Sequence, residues 1–227
     1  NLENATMTYN GGKTIEQDGN GAEFILNEDG ESYTLVGFYD TVKAGEPLAP
    51  VGAYTVPTEF NGKPITGIGA AVFNAKAYAN EEIANWMKTM GALIIGVMTP
   101  NDAGAFDYSD NNVKHIGSHN FVAMESVTQL RVPTEIDDTV MVGCYVDINS
   151  APYIRVPRGV EFLTDCFQWS DSFFNGQTGR WLVLPSSIKE FNGNSWTGKA
   201  NGFGFIMDCA NADAVAEFEK VIDASHC

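Results

Sequence analysis

Basic residues are scarce in this sequence. Its 227 residues include 13 lysines and arginines against 29 aspartates and glutamates, so the formal net charge is −16. Such a surface repels phosphate and lacks the basic stripe that nucleic-acid binding requires, which argues against a nucleic-acid partner. Long apolar runs are missing as well. The longest, from Ala92 to Met98, contains a glycine and falls far short of the ~20 residues of a membrane helix, so no membrane span is expected.

Cysteine and histidine are also few. The four cysteines are widely spaced and form no CxxC pair, which argues against a disulfide scaffold and a zinc knuckle. His115 and His119 have the spacing of helical metal ligands, but no helix is expected there, so they are expected to face solvent. Asp102, Asp107 and Asp110 lack the spacing of a calcium-binding hand loop and are expected in a solvated loop. The sequence therefore predicts no catalytic residue, no metal site and no cofactor.

What the chain does contain is repetition. Four segments share an apolar-x-apolar-Pro pattern, with a further apolar residue three positions after the proline. They are residues 54–57, 130–133, 154–157 and 182–185. A period-two triplet forms a short strand with two side chains facing inward, and proline ends the strand because it cannot donate the next ladder bond. We therefore expect Leu130, Ile154 and Leu182 to stack in one column of adjacent parallel strands.

A second element recurs after the first. It reads Ile-x-x-Ile-Gly-x-x-x-Phe at 65–73 and Val-x-x-Ile-Gly-x-x-x-Phe at 113–121, with a looser form at 188–196. Its glycine allows a tight turn or a close approach to the neighbouring coil. A single unit cannot bury its apolar face, whereas a stack of units can. The later prolines are 24 and 28 residues apart, which is the size of one leucine-rich-repeat coil.

The stretch from Tyr54 to Phe73 carries a strand, then Asn-Gly-Lys-Pro, then Ile-Gly and a phenylalanine. In this order it resembles the start of the array in the BspA-type bacterial cell-surface leucine-rich repeat family. The segment 24–38 resembles the hairpin that opens such arrays. The resemblance covers roughly residues 24–74 and 113–196, although leucine occurs only nine times in the chain. It implies a non-enzymatic cell-surface or secreted bacterial protein, extracellular in location, with a binding or adhesion role toward protein partners.

The expected fold is a leucine-rich-repeat solenoid, β-rich, with short parallel strands, irregular turns and a few capping helices. We expect a single domain over residues 1–227. Residues 1–53 form an N-terminal hairpin cap, residues 54–209 form the repeat coils with a helical insertion near 75–112, and residues 210–227 form a C-terminal capping helix. Such a helix would cover the last coil of the stack.

Inside the insertion, Asn80 is a suitable N-cap for a short amphipathic helix. The apolar face of that helix is expected to consist of Ile83, Trp86, Met87 and Met90. A buried strand is expected from Leu93 to Met98, and Thr99 with Pro100 reads as a degenerate copy of the strand-Pro unit.

Aromatic residues cluster between 167 and 181. Phe167 and Trp181 are expected in the core, whereas Trp169, Phe173 and Phe174 lie in a loop of Ser, Asp, Asn and Gly. These three loop residues either cover the core between coils or form an exposed patch for a protein or glycan partner. They are the candidate ligand-binding residues. The alternative function is that of a carbohydrate-active module, either a lectin-like binder or a glycoside hydrolase.

The thiols of Cys144 and Cys166 follow apolar repeat positions. We expect them to be small buried core groups rather than nucleophiles. Cys209 and Cys227 flank the expected terminal helix, whose length of ~22 Å at ~1.5 Å per residue keeps them from pairing with each other.

Overall fold

The computed structural model describes residues 8–9, 12–42, 52–167, 175–192, 201–208 and 216. Nearly all of its elements are short strands, as the period-two triplets predict. In chain order they are β1 Thr8–Tyr9, β2 Lys13–Gln17, β3 Ala22–Leu26, β4 Tyr33–Phe38, β5 Ala53–Thr55, β6 Glu59–Phe60, β7 Lys63–Ile68, α1 Glu81–Thr89, β8 Ala92–Ile94, β9 Val97–Pro100, β10 Phe106–Ser109, β11 His115–Ile116, β12 Gln129–Arg131, β13 Val140–Val142, β14 Tyr153–Arg155, β15 Phe162–Thr164, β16 Asn175–Pro185, β17 Glu190–Asn192 and β18 Asn201–Asp208.

The N-terminal sheet begins as an antiparallel meander, β1-β2-β3-β4, and continues with the parallel strands β7 and β11. Strands β3 and β4 form the hairpin predicted over 24–38. In the turn before β3, the Asp18 carboxylate accepts the main-chain N–H groups of Asn20 at 2.7 Å and Ala22 at 3.1 Å. The change from antiparallel to parallel pairing occurs at β4, where the repeats begin.

Two parallel sheets contain the strand-Pro segments. Strands β5, β8 and β12 form one, with Leu93 paired to Leu130, and strands β14, β16 and β18 form the other, with Ile154 paired to Leu182. The predicted column is thus confirmed for Ile154 and Leu182. It is wrong in one respect, because β12 lies next to β14 without a hydrogen-bonded ladder. Leu130 instead pairs with Leu93 on its other side.

A third parallel sheet, β13-β15-β17, contains the second element of the later coils. Beside it, four aromatic rings stack along the interior, one from each successive coil. They are Phe73, Phe121, Tyr145 and Phe167, with centroid distances of 6.5, 5.1 and 5.1 Å between successive rings. The last three of these residues have φ angles of 59°, 61° and 60°. A left-handed backbone is costly for aromatic residues, and burial of the whole stack compensates for it.

The insertion begins with the predicted helix. The Asn80 side chain accepts the main-chain N–H groups of Glu82 and Ile83, as expected of an N-cap. Three residues of the predicted apolar face are buried, and the Trp86 ring packs against Phe38 at 5.1 Å. The helix therefore covers the aromatic cluster at the start of the repeats. No described helix is long and apolar enough to cross a bilayer.

The segment after the helix differs from the prediction. The expected buried strand over 93–98 is confirmed only in its first part, because β8 ends at Ile94 and Val97 and Met98 belong to β9. Thr99 and Pro100 are not a copy of the strand-Pro unit. They belong to β9, which pairs antiparallel with β10 in a hairpin that leaves the parallel array. The expected solvated loop thus contains a strand, Phe106–Ser109. The hairpin forms because β10 alternates aromatic and polar residues, and its aromatic side chains turn toward the sheet.

Candidate functional site

The candidate ligand-binding residues Trp169, Phe173 and Phe174 lie outside the described residues. The two flanking aromatic residues are described, and they differ. Phe167 is buried in the aromatic stack, as predicted. Trp181, which was expected in the core, is 45% exposed. The prediction for Trp181 is wrong because side chains alternate along a strand, and Leu182 takes the inward position.

Trp181 belongs to an outward-facing aromatic and apolar surface. On β14 and β16, Tyr153 is in register with Trp181, and Arg155 is in register with Val183. The parallel ladder brings the first pair side by side, with Tyr153 37% exposed. Ile206 on β18 extends the surface by one strand and is 41% exposed. We call this the strand face, defined by the outward side chains of β12, β14, β16 and β18.

A groove of about 160 Å³ opens on the strand face where β12 meets β14. Its walls come from three elements: β12 with its neighbours, β14, and the β9–β10 hairpin. The lining residues are Tyr108, Thr128, Gln129, Leu130, Arg131, Val132, Tyr153 and Arg155. A cavity of ~150 Å³ is known to hold one benzene-sized group, so this groove accommodates one side chain or a group of similar size.

The β9–β10 hairpin forms one wall of the groove and is held firmly in place. Gly96 permits this approach, because a Cβ there would lie 2.7 Å from the Ser109 carbonyl oxygen. At the far end of the hairpin, the Asp110 carboxylate accepts the Thr134 main-chain N–H at 3.0 Å and its hydroxyl at 3.1 Å. Asp110 is therefore engaged in a structural contact. The hairpin fixes the position of Tyr108 against β12.

Tyr108 in turn positions two outward side chains of β12. Its ring centroid lies 4.8 Å from Cζ of Arg131, and its carbonyl oxygen accepts Arg131 Nη2 at 3.4 Å. The Gln129 side-chain amide donates to its hydroxyl. Stacking on an aromatic face restricts the guanidinium without neutralising it. Arg131 is thus held in one orientation with its positive charge intact.

On the β14 side of the groove, arginine is paired with an acid. The Asp208 carboxylate accepts Arg155 Nη1 at 2.8 Å, and Arg158 Nε and Nη2 at 2.9 and 2.8 Å. The hydrogen bonds from Arg158 are the largest cause of a lowered pKa at Asp208, and the same contact raises the pKa of Arg158. One carboxylate therefore pairs with two guanidinium groups, and the charges of Glu135 and Asp110 also act on Arg158.

The groove coincides with the break between the two parallel sheets. The carbonyl oxygen of Arg155 accepts the Tyr145 hydroxyl at 2.8 Å, whereas the equivalent carbonyl of Val183 accepts the main-chain N–H of Val156 at 2.9 Å. Tyr145 is the one tyrosine in the aromatic stack, and burial raises its pKa well above the ordinary value. Its hydroxyl thus satisfies a strand carbonyl at the position where β12 would otherwise pair.

The remaining chemical groups do not form a site within the described residues. Cys144 and Cys166 are buried and form no disulfide. Burial raises the pKa of both thiols, that of Cys166 to about 11, so neither is an activated nucleophile. His115 lies 58% exposed beside Asp138, with Nδ1 3.2 Å from the carboxylate, and His119 is also exposed. In the part of the chain that is described, no three acidic, histidine or cysteine side chains are arranged to hold a metal ion.

No protein-family model matches the sequence, and no curated protein matches it at a significant level. Solved structures do. The leucine-rich repeat protein of T. pallidum aligns with a TM-score of 0.51 and 15% identity, over 80% of this chain and 65% of that one. A leucine-rich cell surface protein from Faecalibacterium prausnitzii A2-165 aligns with a TM-score of 0.52 and 16% identity, over 86% of this chain and 55% of that one. The fold is that of leucine-rich repeat proteins. The chain spans less than two thirds of either neighbour's length.

Most of the strand face of this leucine-rich-repeat fold has a signal in the sequence. In Leu-Arg-Val-Pro and Ile-Arg-Val-Pro the middle residue points away from the core, so Arg131 and Arg155 are outward neighbours on successive copies. The residue before each triplet faces outward too, which applies to Tyr153 and Trp181. Tyr108 has no comparable signal, because only the tertiary position of the β9–β10 hairpin brings it to β12.

Proposed function

We propose that this protein is a non-enzymatic leucine-rich-repeat solenoid of the BspA type, cell-surface or secreted, that binds protein partners through the strand face. On this proposal the chain is a single domain with an N-terminal hairpin cap over 1–53, repeat coils over 54–209 and a capping helix over 210–227. The printed description of the F. prausnitzii neighbour as a cell surface protein supports the location. The sequence resemblance at residues 54–73 supports the family.

The observation that carries the proposal is the pairing of exposed Trp181 with exposed Tyr153 on adjacent parallel strands. Tryptophan, tyrosine and arginine are the residues that most often dominate the binding energy of protein interfaces. All three occur together on the strand face, beside the Arg131 groove. A contiguous exposed apolar patch marks an interaction site, whereas apolar residues exposed singly are normal.

Selection from a phage-displayed random peptide library tests the proposal, with the full chain as the immobilised target. We expect enriched peptides that lose at least ~2 kcal/mol of binding, or about thirtyfold in affinity, when Trp181→Ala is introduced. The matched control is Val140→Ala, since Val140 is 44% exposed but lies on β13, away from the strand face. Enriched peptides that bind the Trp181→Ala protein as well as the wild type contradict the proposal.

The alternative, a carbohydrate-active module, is distinguished by a glycan array probed with the same proteins. Binding to one class of sugar that Trp181→Ala abolishes, with no enrichment of peptides, favours the module. Hydrolysis of the bound sugar would identify a glycoside hydrolase.

Trp169, Phe173 and Phe174 remain proposed as ligand-binding residues. Replacing all three with alanine is expected to weaken peptide binding while changing the free energy of unfolding by no more than ~0.5 kcal/mol, as for surface residues. A large loss of stability with unchanged binding by the folded protein assigns them to the core instead.

A further inference from the structure

Arginine is concentrated in one part of this acidic protein. The chain has four arginines, and all of them lie between residues 131 and 180, although the formal net charge is −16. Three of the four, Arg131, Arg155 and Arg158, lie at or beside the groove where β12 meets β14. Asp208 is the carboxylate that pairs with two of them. The groove itself is lined by Arg131 and Arg155. Arg158, in contrast, is compensated by Asp208 and by the nearby charges of Glu135 and Asp110.

Arg131 is the distinctive member of the group. Among the described residues its polar contact is the Tyr108 carbonyl oxygen at 3.4 Å, and no carboxylate pairs with it. Its Nε atom is buried and has no hydrogen-bond partner in the described structure. A ligand in the groove does not reach this solvent-inaccessible atom, so it is recognised by the terminal N–H groups of the half-buried Arg131 guanidinium. The guanidinium fork matches a carboxylate, which accepts two parallel N–H groups.

The neutral polar groups of the groove are already engaged. The Gln129 amide donates to the Tyr108 hydroxyl, and the Tyr153 hydroxyl accepts Arg155 Nη2 at 3.1 Å. The hydroxyls of Tyr108 and Tyr153 accept in these bonds and each retains one O–H donor, so a saccharide with more hydroxyl groups than these would incur a cost for each unpaired one. A carboxylate needs only the guanidinium. Beyond the groove, the exposed Trp181 continues the strand face and suits an apolar residue of the same ligand.

We propose that the groove binds a glutamate or aspartate side chain from an acidic peptide segment of the partner protein, with Arg131 as the residue that recognises the carboxylate. The proposal rests on the proposed function, because it specifies the chemistry of the peptide that the strand face binds. An acidic ligand is favoured by the charge complementarity between its carboxylate and Arg131, which has no carboxylate partner among the described residues.

Isothermal titration calorimetry with three probes tests the proposal: hexa-L-glutamate, hexa-L-glutamine and tri-galacturonate. At ~0.15 M salt the Debye length is ~8 Å, so distant carboxylates of the protein are screened. We expect the full chain to bind hexa-L-glutamate and neither of the other probes. Arg131→Gln is expected to weaken this binding at least about tenfold, which corresponds to ~1.4 kcal/mol. The affinity of Arg131→Lys for hexa-L-glutamate is expected to lie between those of the wild type and Arg131→Gln, because lysine keeps the charge but lacks the guanidinium fork.

Lys13→Gln is the matched control. It removes one positive charge from the N-terminal hairpin, where Lys13 lies 3.5 Å from the exposed Glu28 carboxylate, and it should leave the affinity unchanged within about twofold. An equal loss of affinity for hexa-L-glutamate in Lys13→Gln and Arg131→Gln would mean that net charge alone determines binding, and it overturns the proposal. If Arg131→Gln unfolds, the comparison of Arg131→Lys with Lys13→Gln decides in its place.

Two further outcomes overturn the proposal, and the second of them leaves the proposed function intact. Binding of tri-galacturonate in place of hexa-L-glutamate assigns the groove to an acidic saccharide. If no probe binds while library peptides still bind in a Trp181-dependent manner, the groove does not recognise a carboxylate. The strand face then remains the proposed binding surface. If peptide binding does not depend on Trp181 but hexa-L-glutamate binding still depends on Arg131, the proposed function is contradicted and the proposal for the groove is supported.

Discussion

Gly117 is the position at which the packing of neighbouring coils is most easily tested. It follows β11, and its main-chain N–H donates to the Ile68 carbonyl oxygen of the preceding coil at 2.8 Å. A Cβ at Gly117 would lie 2.5 Å from the Ala70 nitrogen and 2.6 Å from the Gly69 carbonyl carbon, where real Cβ contacts are essentially never below 3.0 Å. Gly117→Ala therefore forces two main chains apart.

The magnitude follows from these contacts. Overpacking a tight site costs ~1–3 kcal/mol, and losing the hydrogen bond to Ile68 adds ~0.5–1.5 kcal/mol. We expect Gly117→Ala to lower the free energy of unfolding by ~2–4 kcal/mol. For a protein of this size, ~1 kcal/mol corresponds to ~2–4 °C in Tm, so the expected fall is on the order of 10 °C.

Urea unfolding followed by circular dichroism measures this change, with Gly37→Ala as the control. Gly37 is a buried glycine in the paired strand β4, whereas Gly117 is half-buried, but a Cβ at Gly37 would meet only the Glu23 Oε2 at 3.4 Å and the Tyr78 hydroxyl at 3.8 Å. We expect Gly37→Ala to change stability by less than ~1 kcal/mol. A neutral Gly117→Ala, or equal losses in the two variants, would refute the close approach of the coils.

Two more predictions concern buried groups. Tyr145→Phe keeps the ring in the aromatic stack but leaves the Arg155 carbonyl without its hydroxyl partner, so thermal unfolding should show a loss of ~1–3 kcal/mol; an unchanged Tm would contradict the role given to the hydroxyl. Burial raises the pKa of both thiols, that of Cys166 from 9.0 to about 11. As the pH rises above 9, the unfolded chain therefore loses its thiol protons before the folded chain does, and the free energy of unfolding must fall. Denaturant midpoints at pH 8, 9, 10 and 11 measure the fall, and a Cys144→Ala, Cys166→Ala protein should show a shallower one; identical slopes would exclude the thiols as its cause.

Local patterns predicted the elements whose geometry depends on a few neighbouring residues. The Asn80 cap and the spacing of Ile83 and Met87 predicted α1, because capping and helical periodicity act within one or two turns. The strand-Pro triplets predicted the parallel pairing of Ile154 with Leu182. The glycine of the second element was expected to allow a close approach to the neighbouring coil, and Gly117 confirms this.

Features that depend on contacts distant in sequence were missed or wrong. Thr99 and Pro100 match the repeat pattern locally, but pairing with β10 draws them into the hairpin. The break between β12 and β14 depends on Tyr145, whose hydroxyl is indistinguishable in a hydrophobic pattern from the phenylalanines of the other coils. The groove forms where the β9–β10 hairpin, the break between the two sheets and Arg131 meet. These features are distant in sequence, so no local pattern predicts that they come together. Trp181 is exposed where a core residue is expected, because strand alternation rather than aromatic character decides which face a side chain takes.

The central claim is that parallel strands in register place Tyr153 beside Trp181 on the strand face. Disulfide formation in the variant Tyr153→Cys, Trp181→Cys tests it directly, with bridged peptides identified by mass spectrometry. Adjacent strands lie ~4.8 Å apart, within the ~7 Å Cα limit for a disulfide, whereas Ile206 lies two strands from Tyr153, at ~9.6 Å or more. The account predicts a bridge between 153 and 181 under mild oxidation and none in Tyr153→Cys, Ile206→Cys. A bridge between 153 and 206, or none between 153 and 181, would contradict it.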